Sequence, residues 1–143
     1  MADLSLQYIA GIVDGEGTID INRRRPSHCN RLKSEEYCLR VGVVNTYLPL
    51  MHLLKAQFGG SLSSRQPQLN HKVCYSWALV SKQAETFLSL VAPYLVVKRA
   101  QAELGLEFRR SRTNTASTKL GTSIGETTLR ESFYLAMRKL NGG

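Results

Sequence analysis

The sequence predicts an α+β domain built on a four-stranded antiparallel sheet, and three observations carry that expectation. Apolar residues recur with a helical period in segments beginning near Leu4, Tyr47, Ser81, Ala100 and Glu126. Between the first three of these lie four short runs of period two, beginning near Thr18, Tyr37, Ser61 and Lys72. The order α-β-β-α-β-β-α, with further helices after it, sets strands in consecutive pairs, the arrangement that hairpins join antiparallel. At 143 residues and 43% apolar content, the chain fits one domain over 1–143, with a core at about 4–112 and a C-terminal loop and helix at 113–143.

Each element has its own signal. A first helix is expected from about Leu4 to Asp14, with Asp3 or Ser5 as its N-cap. Leu4, Tyr8 and Ile12 share one face and Leu6, Ile9 and Val13 the adjoining one, which predicts burial almost all round. Glycine inside a helix costs about 1 kcal/mol relative to alanine, so Gly11 implies the close approach of another helix backbone. Gly15 and Gly17 then end the helix. From Thr18, Ile19 and Ile21 point one way and Asp20, Asn22 and Arg24 the other. After a polar, basic turn over Pro26 to Ser34, a strand near Tyr37 to Val43 turns Leu39, Val41 and Val43 inward and Cys38, Arg40 and Gly42 outward. The hairpin so formed has one apolar and one basic, polar face.

A helix from Tyr47 to Phe58 carries Pro49 in its first turn, Gly59 and Gly60 at its end, and a stripe of Leu50, Leu53, Leu54 and Phe58. Strands near Ser61 to Gln66 and Lys72 to Val80 follow, joined through Pro67 to Asn70; Val73, Tyr75, Trp77 and Leu79 face the core. Ser81 is the expected cap of the next helix, whose core residues are Phe87, Leu88 and Val91 and which Pro93 closes. Ala100 to Arg112 reads as helix, Thr113 to Thr122 as a loop, and Glu126 to Leu140 as a terminal helix with Leu129, Phe133, Ala136, Met137 and Leu140 inward.

Charge and composition narrow the function. Nineteen Lys and Arg against eleven Asp and Glu give +8 and a pI of about 9.7, which favours a polyanionic partner, nucleic acid first. Arg23, Arg24, Arg25, Arg31 and Lys33 form one basic cluster, and Arg109, Arg110 and Arg112 a second. No apolar run reaches the roughly 18 residues of a membrane span, and the N-terminus lacks the pattern of a signal peptide. Cys29, Cys38 and Cys74 are odd in number with no CxxC pair, which argues against a zinc site or a disulfide framework and for reduced thiols in an intracellular protein, its compartment open. His28, His52 and His71 are dispersed and suggest no general base.

The run Ile9-Ala10-Gly11-Ile12-Val13-Asp14-Gly15-Glu16-Gly17 is the most informative segment. A helix C-terminus carries partial negative charge, so Asp14 and Glu16 there require compensation, and a divalent cation is the obvious candidate. The run resembles the LAGLIDADG motif with Glu16 at its last aspartate. With the element order, it makes the chain resemble the LAGLIDADG homing endonucleases over about 4–112.

That resemblance implies a specific site. Motif helices of two domains pack about a two-fold axis, an interface that falls here on Ile9, Ala10, Gly11, Ile12, Asp14 and Gly15. Glu16, with the carbonyl of Gly15, would hold Mg²⁺, for which Mn²⁺ can substitute; a glutamate keeps the hard oxygen such ions prefer. Asp14 takes a supporting role near the helix end. The segment Pro93-Tyr94-Leu95-Val96-Val97-Lys98 is similar to the family's PxLxxK run, which assigns Lys98 to the cleavage centre, where it could stabilise phosphate charge. Asn45 matches a water-organising position and equally fits an N-cap for the helix that follows.

One motif copy implies a homodimer and a palindromic or nearly palindromic target. The implied activity is metal-dependent hydrolysis of double-stranded DNA, leaving 3′ overhangs, by an intron-encoded enzyme of intron homing. Outward strand residues Asn22, Arg24, Arg40, Ser63, Arg65, Lys72 and Ser76 are then expected at base edges in the major groove, with Arg23, Arg25, Arg31 and Gln68 adding DNA contacts. An RNA-binding intron maturase or a catalytically inactive DNA-binding regulator on the same fold is the alternative.

Overall fold

The computed structural model describes residues 3–27, 35–65, 72–112 and 124–142. The first helix, α1 (Leu6–Glu16), begins at Ser5, whose hydroxyl accepts the Tyr8 N–H at 3.2 Å, so of the two candidate caps Ser5 serves. It runs through both motif acids to Glu16, two residues beyond the expected end. Burial is one-sided. Ile9, Ala10 and Val13 are wholly buried, whereas Gln7, Tyr8, Gly11 and Gly15 are exposed. The helix is therefore not buried all round, because the sheet covers only one of its faces. Ile9 and Ala10, expected in a dimer interface, lie in this chain's own core, with no surface left to offer a partner.

The sheet contains β1 (Gly17–Arg24), β2 (Glu36–Asn45), β3 (Ser61–Arg65) and β4 (Cys74–Val80) in the antiparallel order β1-β2-β4-β3. Gly17 pairs with Val43 and Val43 with Trp77, so the alternations of adjacent strands agree in phase. Ile19, Ile21, Leu39, Val41, Val43, Trp77 and Leu79 accordingly share the buried face, as their periodicity predicts. Gly17 starts β1 so close to the preceding helical turn that a Cβ would lie 2.8 Å from the Val13 Cα.

Helix α2 (Leu48–Phe58) contributes Met51 and Leu54 to the core and ends at Gly59 and Gly60. Those glycines have φ of +79° and +88°, a region open to glycine and strained for other residues. The Trp77 indole donates to the Gly59 carbonyl at 2.8 Å, and Phe87 meets Phe58 and Trp77 edge-on, with centroids 4.9 and 5.5 Å away. In α3 (Ser81–Val91), Phe87, Leu88 and Val91 are buried as expected. Ser81 is not the cap. It is the first helical residue, at φ +52°, and makes no capping bond.

After a single 3₁₀ turn, Ala92–Tyr94, come α4 (Arg99–Arg112) and α5 (Ile124–Leu140). Helix α5 lies beside β1, and Asn141 at its end donates to the Ile19 carbonyl at 2.9 Å. Its inward stripe differs from the expected one. Arg130 and Met137 are buried and Phe133 and Tyr134 half-buried, while Leu129, Ala136 and Leu140 are exposed. The helix is rotated so that Tyr134 covers Arg23, a tertiary contact that hydrophobic periodicity cannot register. The expected turn residues from 28 to 34 and from Pro67 to Asn70, and the loop Thr113 to Thr122, lie outside the described residues.

Candidate metal centre and charged sheet face

The two motif acids receive different partners. Asp14 Oδ2 accepts the Val96 N–H at 2.8 Å, and Oδ1 accepts those of Val97 and Lys98 at 3.1 and 3.0 Å. Burial pushes the Asp14 carboxyl upward, but these three donors and the nearby Lys98 charge outweigh that and hold it below the usual aspartate value. The Lys98 ammonium donates to the Asp14 carbonyl at 2.8 Å, one of the carbonyls left open at the end of α1. For Asp14, then, the compensation that a helix C-terminus demands comes from the chain itself. Lys98 lies at the end of α1, joined to Asp14 and not to Glu16.

Glu16 is exposed at the junction of α1 and β1. Its Oε2 accepts from the Asn45 side-chain amide, while Asn45 Oδ1 accepts the Tyr47 N–H at 2.8 Å. Because the oxygen of Asn45 is held by backbone, its nitrogen must face Glu16. Asn45 is not the N-cap of α2, which is Tyr47; it braces the turn before that helix and orients a motif carboxylate.

Glu16 and the neighbouring Gly15 carbonyl are hard oxygens of the kind Mg²⁺ prefers. Among the described residues no three His, Cys, Asp or Glu form a group that could hold a metal. This donor set fits a divalent ion that completes its shell from elsewhere.

The outer face of the sheet continues from this point. Thr18, Gly42, Ala78 and Ser61 form one cross-strand row of small residues. Beyond it come Asp20, Arg40 and Val80, then Asn22 beside Cys38 and Arg24 beside Glu36. Ser76 and Ser63 pair on the other side of the small row, followed by Cys74 with Arg65. Asn22, Arg24, Ser63 and Arg65 are exposed as expected; Arg40 and Ser76 are half-buried; Lys72 is exposed just ahead of β4. Burial raises the Asp20 carboxyl above the usual aspartate value against the lowering pull of Arg40, and its Oδ1 is buried without a hydrogen-bond partner among the described residues.

Two basic assignments change. Arg23 points to the helix side, paired with Glu131 and 4.4 Å from the centroid of the Tyr134 ring, because its place in the alternation is that of Ile19 and Ile21. It is not a residue of the outer face. Arg109, in the second basic cluster, is bound to Glu85 at 3.0 Å. Arg25 is exposed with Glu35 at 3.5 Å, and Arg31 and Gln68 lie outside the described residues. Sequence reading also missed Tyr37, whose hydroxyl donates to Glu35 at 2.6 Å and lies 3.3 Å from Glu131; burial and these carboxylates push the phenol upward. The inward parity of Tyr37 within β2 was the available signal.

No family model matches the sequence, and no curated protein matches it. Solved structures do. The chain is similar to the homing endonuclease I-CvuI, in complex with the I-CreI target in the presence of Mg with the DNA not cleaved: TM-score 0.76, 20% identity, covering 96% of this chain and 82% of that one. It is also similar to the archaeal intron-encoded homing endonuclease I-Vdi141I complexed with DNA, at TM-score 0.73 and 15% identity over 94% of this chain and 82% of the other. Against the LAGLIDADG homing endonuclease I-GzeII, in complex with its DNA target, the TM-score is 0.71 and the identity 16%, over 94% of this chain but 45% of that one. With the motif helix, the four-stranded sheet and the helices behind it in these places, the chain has the LAGLIDADG homing endonuclease fold.

Proposed function

We propose that the chain is a site-specific, metal-dependent DNA endonuclease that works as a homodimer on a palindromic or nearly palindromic site. The observation that carries this reading is the end of α1. There an exposed carboxylate, Glu16, oriented by a backbone-held Asn45 amide, stands where a basic antiparallel face begins, with Lys98 at the same helix terminus. The similar structures bound to DNA, one with Mg and another with Ca, support the same substrate and cofactor class.

Glu16 and the Gly15 carbonyl would hold Mg²⁺ or Mn²⁺, which supplies charge stabilisation to the attacking and leaving oxygens of a phosphodiester. Asn45 fixes the direction of the Glu16 carboxylate. The positive charge of Lys98 favours the pentavalent phosphate over the ground state, and its bond to the Asp14 carbonyl keeps it at the helix end. Arg24, Arg25, Arg65 and Lys72 provide the electrostatic attraction to the duplex.

What α1 leaves open supports dimerisation. Tyr8, Gly11 and Gly15 are exposed, a Cβ at either glycine would meet nothing within 4 Å, and Val96 and Val97, held beside Asp14, are 83% and 69% exposed. A small-residue helix face rimmed by apolar side chains suits a second α1, and pairing them would join two metal-ligand sets. The target's backbone cuts would then fall on both strands, leaving 3′ overhangs.

The test is a plasmid library with a randomised insert. Wild-type protein should linearise a subset of plasmids only with Mg²⁺ or Mn²⁺. Glu16→Gln should bind the same sites yet leave them closed. Cutting without a divalent ion, or by Glu16→Gln at the wild-type rate, would sink the proposal.

A further inference from the structure

Among the described strand residues, Arg40 differs from the outer-face cations Arg24 and Arg65. It lies on β2, which has neighbours on both sides, whereas Arg24 and Arg65 lie on the edge strands β1 and β3. On the central strands, between Cys38 and Val44 and from Cys74 to Val80, it is the one charged outward residue. Its guanidinium is folded down against the sheet: a Cβ added to Gly42 would lie 3.8 Å from an Arg40 terminal nitrogen and 3.9 Å from Cζ. Arg40 thus leans over Gly42, toward the end of β2 that carries Asn45, the residue bound to Glu16. Asp20, directly across the strand pair, attracts Arg40 without closing a direct ion pair among the described residues.

From these observations we propose that Arg40 reads a guanine in each half-site, positioned by Asp20. This rests on the DNA-binding reading above. A sheet lying in the major groove presents its edges to phosphates and its middle to base edges. An arginine on the middle floor, its donors unspent among the described residues and with small side chains around it, suits the O6 and N7 acceptors of guanine. Gly42 is three residues from Asn45, about 10 Å along the strand. At 3.4 Å per base pair, the guanine lies about three steps from the cleavage centre.

The experiment selects from a randomised DNA library in two pools, one recovered as bound DNA in Ca²⁺ and one as cleaved DNA in Mg²⁺. Wild-type protein should enrich guanine at one position of each half-site. Arg40→Gln should move that position to adenine and Arg40→Ala should leave it unread, a loss of about 10- to 100-fold in discrimination, with the other positions kept. Asp20→Asn should weaken the guanine preference without weakening overall binding. Arg40→Gln and Arg40→Ala that lower binding to all sequences alike would mark a phosphate contact and overturn the proposal. An unchanged guanine preference in Asp20→Asn would remove the positioning role. Enrichment of bound but not cleaved DNA would defeat the nuclease reading while still judging Arg40, and enrichment in neither pool would defeat both. Unchanged far-UV circular dichroism and cooperative thermal melts check that the variants fold.

Discussion

Asp14, in the last turn of α1, and Asp20, on β1, respond to pH in opposite senses. The Asp14 carboxyl is held below its ordinary value, so its contribution is present above the unfolded carboxylate range and is lost as pH falls through the lowered folded value. Asp14→Asn should therefore destabilise the protein at neutral pH, with the deficit shrinking toward pH 3 in urea melts. Asp20 is the reverse: its raised carboxyl favours folding in the protonated form and becomes a penalty as pH rises through the folded value. Asp20→Asn should raise stability at neutral pH and lose that advantage in acid. Equal pH profiles for both variants would contradict the assignment. Asn45→Ala frees the Glu16 carboxylate and should lower cleavage more than DNA binding, as measured by single-turnover cutting against filter binding.

At the level of elements, α5 and the β1–β2 hairpin are joined by a compact polar cluster. Arg23 binds Glu131 and stacks on Tyr134, and the Tyr37 hydroxyl bridges Glu35 and Glu131. Removing one partner leaves the other without its charge, so the members should couple. In a double-mutant cycle, Arg23→Ala plus Glu131→Ala should cost less than the sum of the two single losses, read by hydrogen exchange in α5. Strict additivity would argue against a shared contact. Arg23 and its neighbour Arg24 should also separate in DNA binding. Arg24→Ala should reduce the salt dependence by about one phosphate contact, while Arg23→Ala should leave that slope unchanged.

For the whole molecule, the decisive question is whether α1 meets a second copy. Alanine at Gly11 has open space in the single chain and favours helix by up to about 1 kcal/mol. Gly11→Ala should therefore make the isolated fold at least as stable in chemical denaturation while weakening self-association in analytical ultracentrifugation. Unaltered association would place the dimer contact elsewhere. Net charge of +8 adds a further expectation at this scale: DNA affinity should fall steeply with salt, by orders of magnitude from 50 to 200 mM.

Much of this was legible from residues in order. Period-two runs place Ile19 and Ile21, Leu39, Val41 and Val43, and Trp77 and Leu79 on one face, since alternation along a strand leaves no freedom once one face is buried. The motif run likewise located a helix ending in two acids, and the segment Pro93 to Lys98 supplies a lysine at the same helix end. Only the tertiary structure divided those acids, giving Asp14 three backbone donors from 82 to 84 residues away and leaving Glu16 to Asn45. It alone turned Arg23 inward to Glu131, buried Ile9 and Ala10, and laid Arg40 over Gly42. Periodicity reports which side of an element is apolar; which partner meets a given polar group depends on distances between segments that local sequence does not encode.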